Sequence, residues 1–230
     1  MTKIKICGLS RLCDVDHINA AMPDFCGFII DVPSSRRNIT VPQLRRLRAQ
    51  LRPGIVPVGV FVDAPETLAA QLVAEGLIDV VQLHGHEDNE YIKRLRRAMA
   101  GPPGGTDGGT PAMGNLAAAG NQPGRIIQAF KIREASDVAR AMDSTADLLL
   151  LDGGAGDGRT FDWSLLSGVD RPYFLAGGLG PHNLAAAIET VAPWGVDMSS
   201  GVETDGFKDN SKIMKVMDIL KRGTGAAGPL

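Results

Sequence analysis

Aromatic side chains are scarce in this chain of 230 residues, at 5% of the total. Proteins that bind single-stranded nucleic acid usually stack bases on aromatic side chains, and a basic surface attracts the phosphate backbone. The formal net charge is −2, so the chain has no overall basic field either. We therefore expect no nucleic-acid partner.

Long hydrophobic runs and a regular cysteine pattern are also missing. No run of about 18 apolar residues is present, so we expect no membrane span. The opening residues, MTKIKICG, lack the apolar segment of a signal peptide. The cysteines are Cys7, Cys13 and Cys26, an odd count without the spacing of a disulfide framework. These absences predict a cytoplasmic protein.

What the chain does have is an alternation that continues almost to its end. Short β-branched or apolar runs each precede a segment with helical periodicity. The predicted strands are 3–7, 25–30, 55–62, 79–84, 125–131, 146–151, 172–176 and 195–199. The predicted helices are 12–21, 42–52, 65–76, 88–100, 134–143, 163–167, 181–191 and 210–222.

Eight strand–helix units in a chain of this length are typical of a parallel (β/α)8 TIM barrel. The strands are nearly continuous apolar runs, as expected for strands buried on both faces. A doubly wound open sheet is the alternative. No dinucleotide-binding loop follows the first strand, so a closed barrel is favoured. We predict a single α/β barrel domain over residues 1–222.

Residues 101–124 break the rhythm with Gly, Pro and small polar residues and no periodicity. This composition predicts a flexible insertion between the fourth helix and the fifth strand. Such a connection lies on the barrel face opposite the chemistry. The last residues, 223–230, are similar in composition and are expected to be disordered.

Active residues of a barrel lie at the carboxyl ends of its strands and in the loops that follow. Polar or reactive side chains stand at many of these positions: Cys7, Ser34, Arg36, Arg37, Asp63, His84, Lys131 and Asp152. We therefore expect them to converge on one rim.

Side chains alternate between the two faces of a strand, which predicts which of them face the barrel interior. The predicted inward set is Lys5 and Cys7, then Gly59, Phe61 and Asp63, and finally Leu148, Leu150 and Asp152. An ammonium group beneath Cys7 would favour a thiolate.

Two glycine-containing loops follow the last two strands: AGGLGPHN at 176–183 and SSG at 199–201. Barrels often bind phosphate with the loops after strands seven and eight, through exposed backbone N–H groups. Glycine pairs also serve plain tight turns. The two loops together favour a phosphate site at Gly177, Gly178, Ser200 and Gly201.

Cys7 has several possible roles. A free cysteine is most often a small buried hydrophobic residue, and Cys13 and Cys26 suit that role. A metal site is disfavoured because Cys7 and His84 lie on different strands without paired-ligand spacing. A thiol hydrolase would need an oriented base, and no residue is singled out for that role. Asp152, which closes a run of four leucines, either caps a turn or is used in chemistry.

The motifs KICGL, GVFVD, VVQLHG, LLLLDGGAGDGRTFDW, FLAGGLGPHNL and GVDMSSGVETDGFKDNSKI together closely resemble the phosphoribosylanthranilate isomerase family. The resemblance runs from residue 3 to about residue 222 and leaves out the insertion. It implies an enzyme of tryptophan biosynthesis that converts N-(5-phosphoribosyl)anthranilate, an aminoaldose, to 1-(2-carboxyphenylamino)-1-deoxyribulose 5-phosphate. This Amadori rearrangement needs an acid and a base but no cofactor.

The resemblance also implies roles for individual residues. Cys7 would be the general base and Asp152 the general acid. Arg36 would hold the anthranilate carboxylate, although the loop is about one residue longer than usual and Arg37 is the alternative. His84 and Asp197 would contact the substrate. The expected partner is a phosphorylated small molecule, and the expected assembly is a monomer or a homodimer.

Two other functions are kept as alternatives. One is a sugar-phosphate isomerase of the histidine pathway. Such enzymes have a similar barrel, with a two-aspartate acid/base pair and two phosphate loops. Cysteine at position 7 and a single evident phosphate site argue against it. The other is a non-catalytic binder of phosphorylated ligands, which would not need both Cys7 and Asp152.

Overall fold

The computed structural model describes residues 1–101, 124–153 and 162–223 of the chain. The predicted insertion at 101–124 lies almost wholly outside these residues, as does the predicted tail at 223–230. Most of the glycine-rich loop after Asp152 is also outside them. The domain limits inferred from the sequence therefore stay predictions.

Eight parallel strands form a closed barrel. They are β1 Lys3–Cys7, β2 Phe25–Ile30, β3 Val56–Phe61, β4 Val80–Leu83, β5 Arg125–Lys131, β6 Leu148–Asp152, β7 Tyr173–Ala176 and β8 Gly195–Met198. Each strand pairs with its sequence neighbours, and β1 pairs with both β2 and β8. This last pairing closes the sheet, so the TIM barrel is confirmed and the open sheet is excluded.

Helices cover the outside of the barrel. They are α1 Leu12–Ala21, α2 Val41–Gln50, α3 Glu66–Ala74, α4 Asn89–Ala100, α5 Ala135–Met142, α6 Leu184–Val191 and α7 Asn210–Gly223. Several begin where the sequence supplies a capping residue. Thr40 and Gln43 form a capping box at α2, and the Asp88 side chain accepts from the backbone N–H of Tyr91 at α4.

The sixth strand is followed by a shorter element than an α-helix. Residues Trp163–Gly168 form a 3-10 helix, capped by the Asp162 side chain on the backbone N–H of Ser164. The segment has six residues, and a 3-10 turn is the usual solution for so short a piece.

Two small elements lie near the carboxyl ends of the barrel strands. Asn38–Ile39 pairs in parallel with the end of β2. Glu203–Thr204 and Phe207–Lys208 form an antiparallel hairpin, which we call the 203–208 hairpin. Its turn residues, Asp205 and Gly206, both have positive φ angles, of 52° and 82°. That pattern is typical of a type I′ turn, which suits Asp-Gly.

The core has two layers, as expected for a barrel. Ile4 and Ile6 pack outward against the helices. Inside the barrel lie Val58, Val80, Ile127, Leu148, Leu150, Phe174 and Ala176. The predicted facing is therefore confirmed for β1 and β6.

The predicted facing of β3 is wrong. Val58 lies inside the barrel, whereas Phe61 packs in the outer layer and a Cβ at Gly59 would meet Ile78 there. The run IVPVGVFV is apolar at nearly every position, so its alternation does not distinguish the two faces. Asp63 consequently bonds to His86 outside the main cavity.

Candidate active site

A cavity of about 540 Å³ opens at the carboxyl ends of the strands. Eight of the nine residues predicted for the site line it: Cys7, Arg36, His84, Asp152, Gly177, Gly178, Asp197 and Ser200. Gly201 does not line it. A Cβ at Gly201 would overlap the backbone of Leu179, so this glycine brings the loops after β7 and β8 into close contact.

Cys7 ends β1 with its side chain inside the barrel and is 6% exposed. Its register partner on β2 is Gly27, where a Cβ would lie 2.6 Å from Cys7 Sγ. The glycine thus makes the space that the thiol occupies. Burial raises the pKa of Cys7, and the ammonium of Lys5 opposes that rise.

Lys5 lies beneath Cys7 and is fully buried. Its Nζ donates hydrogen bonds of 3.0 Å to both carboxylate oxygens of Asp197. Burial alone would lower the pKa of Lys5, but Asp197 and Cys7 outweigh it and the pKa is raised. Lys5 is therefore an ammonium ion at neutral pH, and Asp197 reaches the cavity already bonded to it.

Asp152 and His84 face the cavity from β6 and from the end of β4. His84 Nε2 lies 4.0 Å from Asp152 Oδ2, and His84 Nδ1 lies 3.1 Å from Gln82 Nε2. Burial lowers the pKa of His84, and the Asp152 charge only partly opposes this. The imidazole is therefore neutral at neutral pH. Gln82 is 1% exposed and lines the cavity. It was not predicted, although it shares the inward face with His84.

The loop after β7 has consecutive glycines in the left-handed region, Gly177 at φ 93° and Gly178 at φ 65°. Asn183 fixes the loop because its side chain accepts from Gly180 N–H and donates to the Gly178 carbonyl. Successive backbone N–H groups in such a conformation form a concave site for anions. Ser200 begins a 3-10 helix beside it.

Arg36 and Arg37 both reach the cavity and both pair with Glu203, which is buried. Arg37 Nε and Nη2 donate to Glu203 at 2.6 and 2.7 Å, and Arg36 Nη2 donates at 2.6 Å. The Arg37 side chain is 18% exposed, whereas that of Arg36 is 59% exposed. Lys208 on the same hairpin completes the cluster at 2.6 Å from Glu203. Sequence reasoning missed Glu203 and Lys208.

Comparison with known proteins decides the family. A profile described as N-(5'phosphoribosyl)anthranilate (PRA) isomerase matches residues 4–100 and 115–219. The N-(5'-phosphoribosyl)anthranilate isomerase of Endomicrobium trichonymphae is 36% identical over 226 residues, which cover 96% of this chain and 99% of the relative. The chain belongs to the phosphoribosylanthranilate isomerase family. The resemblance stated from the motifs is confirmed.

Other phosphoribosylanthranilate isomerases agree. That of Lactiplantibacillus plantarum is 38% identical over 233 residues, covering 100% of this chain and 97% of its own. A crystal structure from Thermotoga maritima matches with a TM-score of 0.77 at 30% identity, covering 98% of this chain and 100% of that one. A phosphoribosylanthranilate isomerase crystallised with reduced 1-(o-carboxyphenylamino)-1-deoxyribulose 5-phosphate also has a TM-score of 0.77, at 30% identity, covering 96% of this chain and 100% of that one.

The chain is thus an isomerase of tryptophan biosynthesis that acts on a phosphorylated small molecule. Among residues 1–101, 124–153 and 162–223, no helix is long and apolar enough to cross a bilayer. Within the same ranges, no cluster of three or more His, Cys, Asp or Glu side chains could hold a metal ion.

Proposed function

We propose that Cys7 and Asp152 are the general base and general acid of the rearrangement. The observation that carries this proposal is that a thiol and a carboxyl, groups of different intrinsic pKa, line one cavity from separate strands. A site that must both donate and remove a proton needs two such groups in different environments. The glycine loop lies directly beside Asp152, since a Cβ at Gly177 would come 2.8 Å from its Oδ1.

The chemistry then proceeds through two proton transfers by the enzyme, followed by a tautomerisation. Asp152 protonates the furanose ring oxygen as the C1–O bond breaks, and the nitrogen lone pair forms the Schiff base. The Cys7 thiolate removes the proton from C2, and the electrons move to give the enolamine. The enolamine tautomerises to the ketone. Neither step transfers electrons to a cofactor, so none is required.

The phosphate is proposed to bind at the loops after β7 and β8. Gly177, Gly178 and Ser200 line the cavity and offer backbone N–H groups or a hydroxyl. Gly201 contributes by allowing the two loops to touch. This placement sets the phosphate between β6 and β1, so that the sugar carbons lie near Asp152 and Cys7.

The anthranilate carboxylate is proposed to bind an arginine of the loop after β2. The family resemblance favoured Arg36, but the geometry favours Arg37. Two hydrogen bonds to Glu203 hold the Arg37 guanidinium, and its Nη1 makes no hydrogen bond within the described residues. A guanidinium fixed in advance loses less side-chain entropy on binding. Arg36, more exposed, supplies a second positive charge at the rim.

His84 and Asp197 are proposed to contact the substrate. His84 is neutral and only partly buried beside Asp152, so it can donate or accept a hydrogen bond without adding a charge. Asp197 lines the cavity while both its oxygens accept from Lys5. Its contact with substrate would therefore be that of an already paired carboxylate.

An isomerase assay tests the proposal. Phosphoribosylanthranilate is generated in situ, and the loss of its fluorescence is followed with wild type, Cys7→Ser and Asp152→Asn. We expect each variant to lose about 10²- to 10⁴-fold in kcat or more while it still folds. The matched control is Cys13→Ser, an exposed cysteine outside the cavity, which should leave kcat unchanged.

Two results would contradict the assignment. A covalent sugar adduct trapped on Cys7 during turnover would make the thiol a nucleophile. A wild type that binds phosphorylated ligands without turning over would favour a binder or a histidine-pathway substrate.

We further infer a cytoplasmic enzyme, monomeric or homodimeric. One Thermotoga maritima neighbour, at 28% identity and a TM-score of 0.75, is described as monomers of a dimeric isomerase. Light scattering on the purified chain tests its state.

A further inference from the structure

A buried charge pair lies beneath the cavity. Lys5 and Asp197 are register partners on β1 and β8, and the Lys5 side chain has no exposure. Barrel interiors are usually filled by bulky branched apolar residues. Removing an ammonium from water costs several kcal/mol and is only partly repaid by a salt bridge, so a pair at this place gives little net stability. Packing alone therefore does not account for it.

Lys5 has a second neighbour. Cys7 is two residues further along β1 on the same face, and the Lys5 ammonium interacts with both the Cys7 thiol and the Asp197 carboxylate. The Lys5 ammonium thus faces two acidic side chains, those of Cys7 and Asp197. When the thiol is neutral, Lys5 and Asp197 balance each other. When the thiol loses its proton, the new anion is met by an ammonium that is already in place.

We propose that Lys5 is a positioning residue that stabilises the Cys7 thiolate, with Asp197 as the counter-ion that balances the Lys5 charge while the thiol is neutral. This inference rests on the proposed role of Cys7 as the base. Because Lys5 stays protonated, it acts by its charge and does not exchange the proton taken from substrate.

Other charged groups also face Cys7. Lys208 and Arg37 approach from the 203–208 hairpin and the loop after β2, and both are paired with Glu203. Asp152 and His84 line the same cavity from β6 and β4. Among the neighbouring charges, Lys5 does most to counter the burial that raises the pKa of Cys7, Asp197 raises that pKa further, and Lys208 has a smaller lowering effect. Lys5 and Asp197 therefore act on the thiol in opposite senses.

That opposition gives a test that does not depend on turnover. The rate of Cys7 alkylation by iodoacetamide is measured against pH, with Cys7 resolved from Cys13 and Cys26 by peptide mass spectrometry. For Lys5→Met we expect the midpoint of the pH dependence of alkylation to rise by about one pH unit or more. The alkylation rate at pH 7 should fall about tenfold. For Asp197→Asn we expect the midpoint to fall and the rate to rise.

The matched control is Lys3→Met on the same strand. Lys3 is 45% exposed and pairs with Asp24 at the other end of the barrel, so its loss should leave the midpoint unchanged. A midpoint that is unmoved in both variants, or moves in the same direction in both, overturns the inference. If Lys5→Met does not fold, the direction of the Asp197→Asn shift decides.

The isomerase assay separates this inference from the proposed function. A wild type that does not turn over phosphoribosylanthranilate refutes the proposed function, whatever the alkylation shows. Normal wild-type turnover together with unmoved midpoints refutes only the role of Lys5.

Discussion

Gly27 shows how a residue without a side chain shapes the site. It faces Cys7 across the β1–β2 pair and leaves the space that the thiol fills. We predict that Gly27→Ala lowers kcat/KM about 10- to 100-fold, because a displaced proton-transfer group reacts from a poorer geometry. Steady-state kinetics measure the effect, and circular dichroism checks the fold.

The control for Gly27 is Gly168→Ala, where an added Cβ meets no atom within 4 Å. It should leave kcat/KM unchanged. Equal activity in Gly27→Ala and wild type would mean that the thiol position is not critical.

His84 carries a prediction about pH. Its folded-state pKa is lowered by burial, so below about pH 6.5 the unfolded chain binds a proton that the folded protein does not. Stability is therefore lost as pH falls through this range. We expect His84→Gln to lose less free energy of unfolding than wild type between pH 7.5 and 5, measured by urea denaturation. The exposed His182→Gln should behave as wild type, and parallel pH profiles for all three would contradict the prediction.

At the scale of elements, the sequence located all eight barrel strands, because buried parallel strands leave continuous apolar runs between helical patterns. It missed the 203–208 hairpin, whose strands have two residues each and no hydrophobic signal. The Asp-Gly pair at 205–206 was the available sign. The proposed catalytic positions at strand ends were predictable from topology. Glu203 and Lys208 were not, because their roles depend on contacts between distant segments. Gln82 was missed although strand alternation places it on the same face as His84.

The 203–208 hairpin holds the loop after β2 through Glu203. Removing one partner of a buried ion pair leaves an uncompensated charge, so we predict that Glu203→Gln lowers the free energy of unfolding by about 3–5 kcal/mol. Lys208→Met should cost less, since both arginines still neutralise Glu203. The two single variants and the double variant form a double-mutant cycle, in which urea denaturation measures each free energy of unfolding. We expect the double variant to be more stable than Glu203→Gln alone, and simple additivity would contradict the coupling.

At the scale of the whole molecule, packing at the amino end of the barrel contributes to stability apart from the chemistry at the carboxyl end. Phe25, Phe174 and Trp194 close the amino end, with Phe174 at 5.4 and 5.1 Å from the other two rings in edge-to-face contacts. Phe174 is fully buried, so Phe174→Ala should lower the free energy of unfolding by about 3–5 kcal/mol. Its kcat and KM should match wild type at temperatures where it is folded.

Phe207→Ala is the matched control for Phe174, because this phenylalanine is 52% exposed. Its removal should lower the free energy of unfolding by about 1 kcal/mol or less, mainly because the contact of its ring with Arg11 is lost. A Phe174→Ala variant that keeps its stability but loses activity would refute the separation.

Closure of the barrel between β1 and β8 also sets an order of events during synthesis. Lys5 and Asp197 are 192 positions apart in the chain. At roughly 5–20 residues per second, a ribosome needs about 10–40 seconds to add that length. Throughout this time the edge of β1 that will face β8 has no partner, and an unpaired strand edge is a template for association with other chains. Strand β1 therefore stays unpaired on this edge until β8 has been synthesised. A nascent chain stalled before Asp197 carries Cys7 without the strand that completes its surroundings.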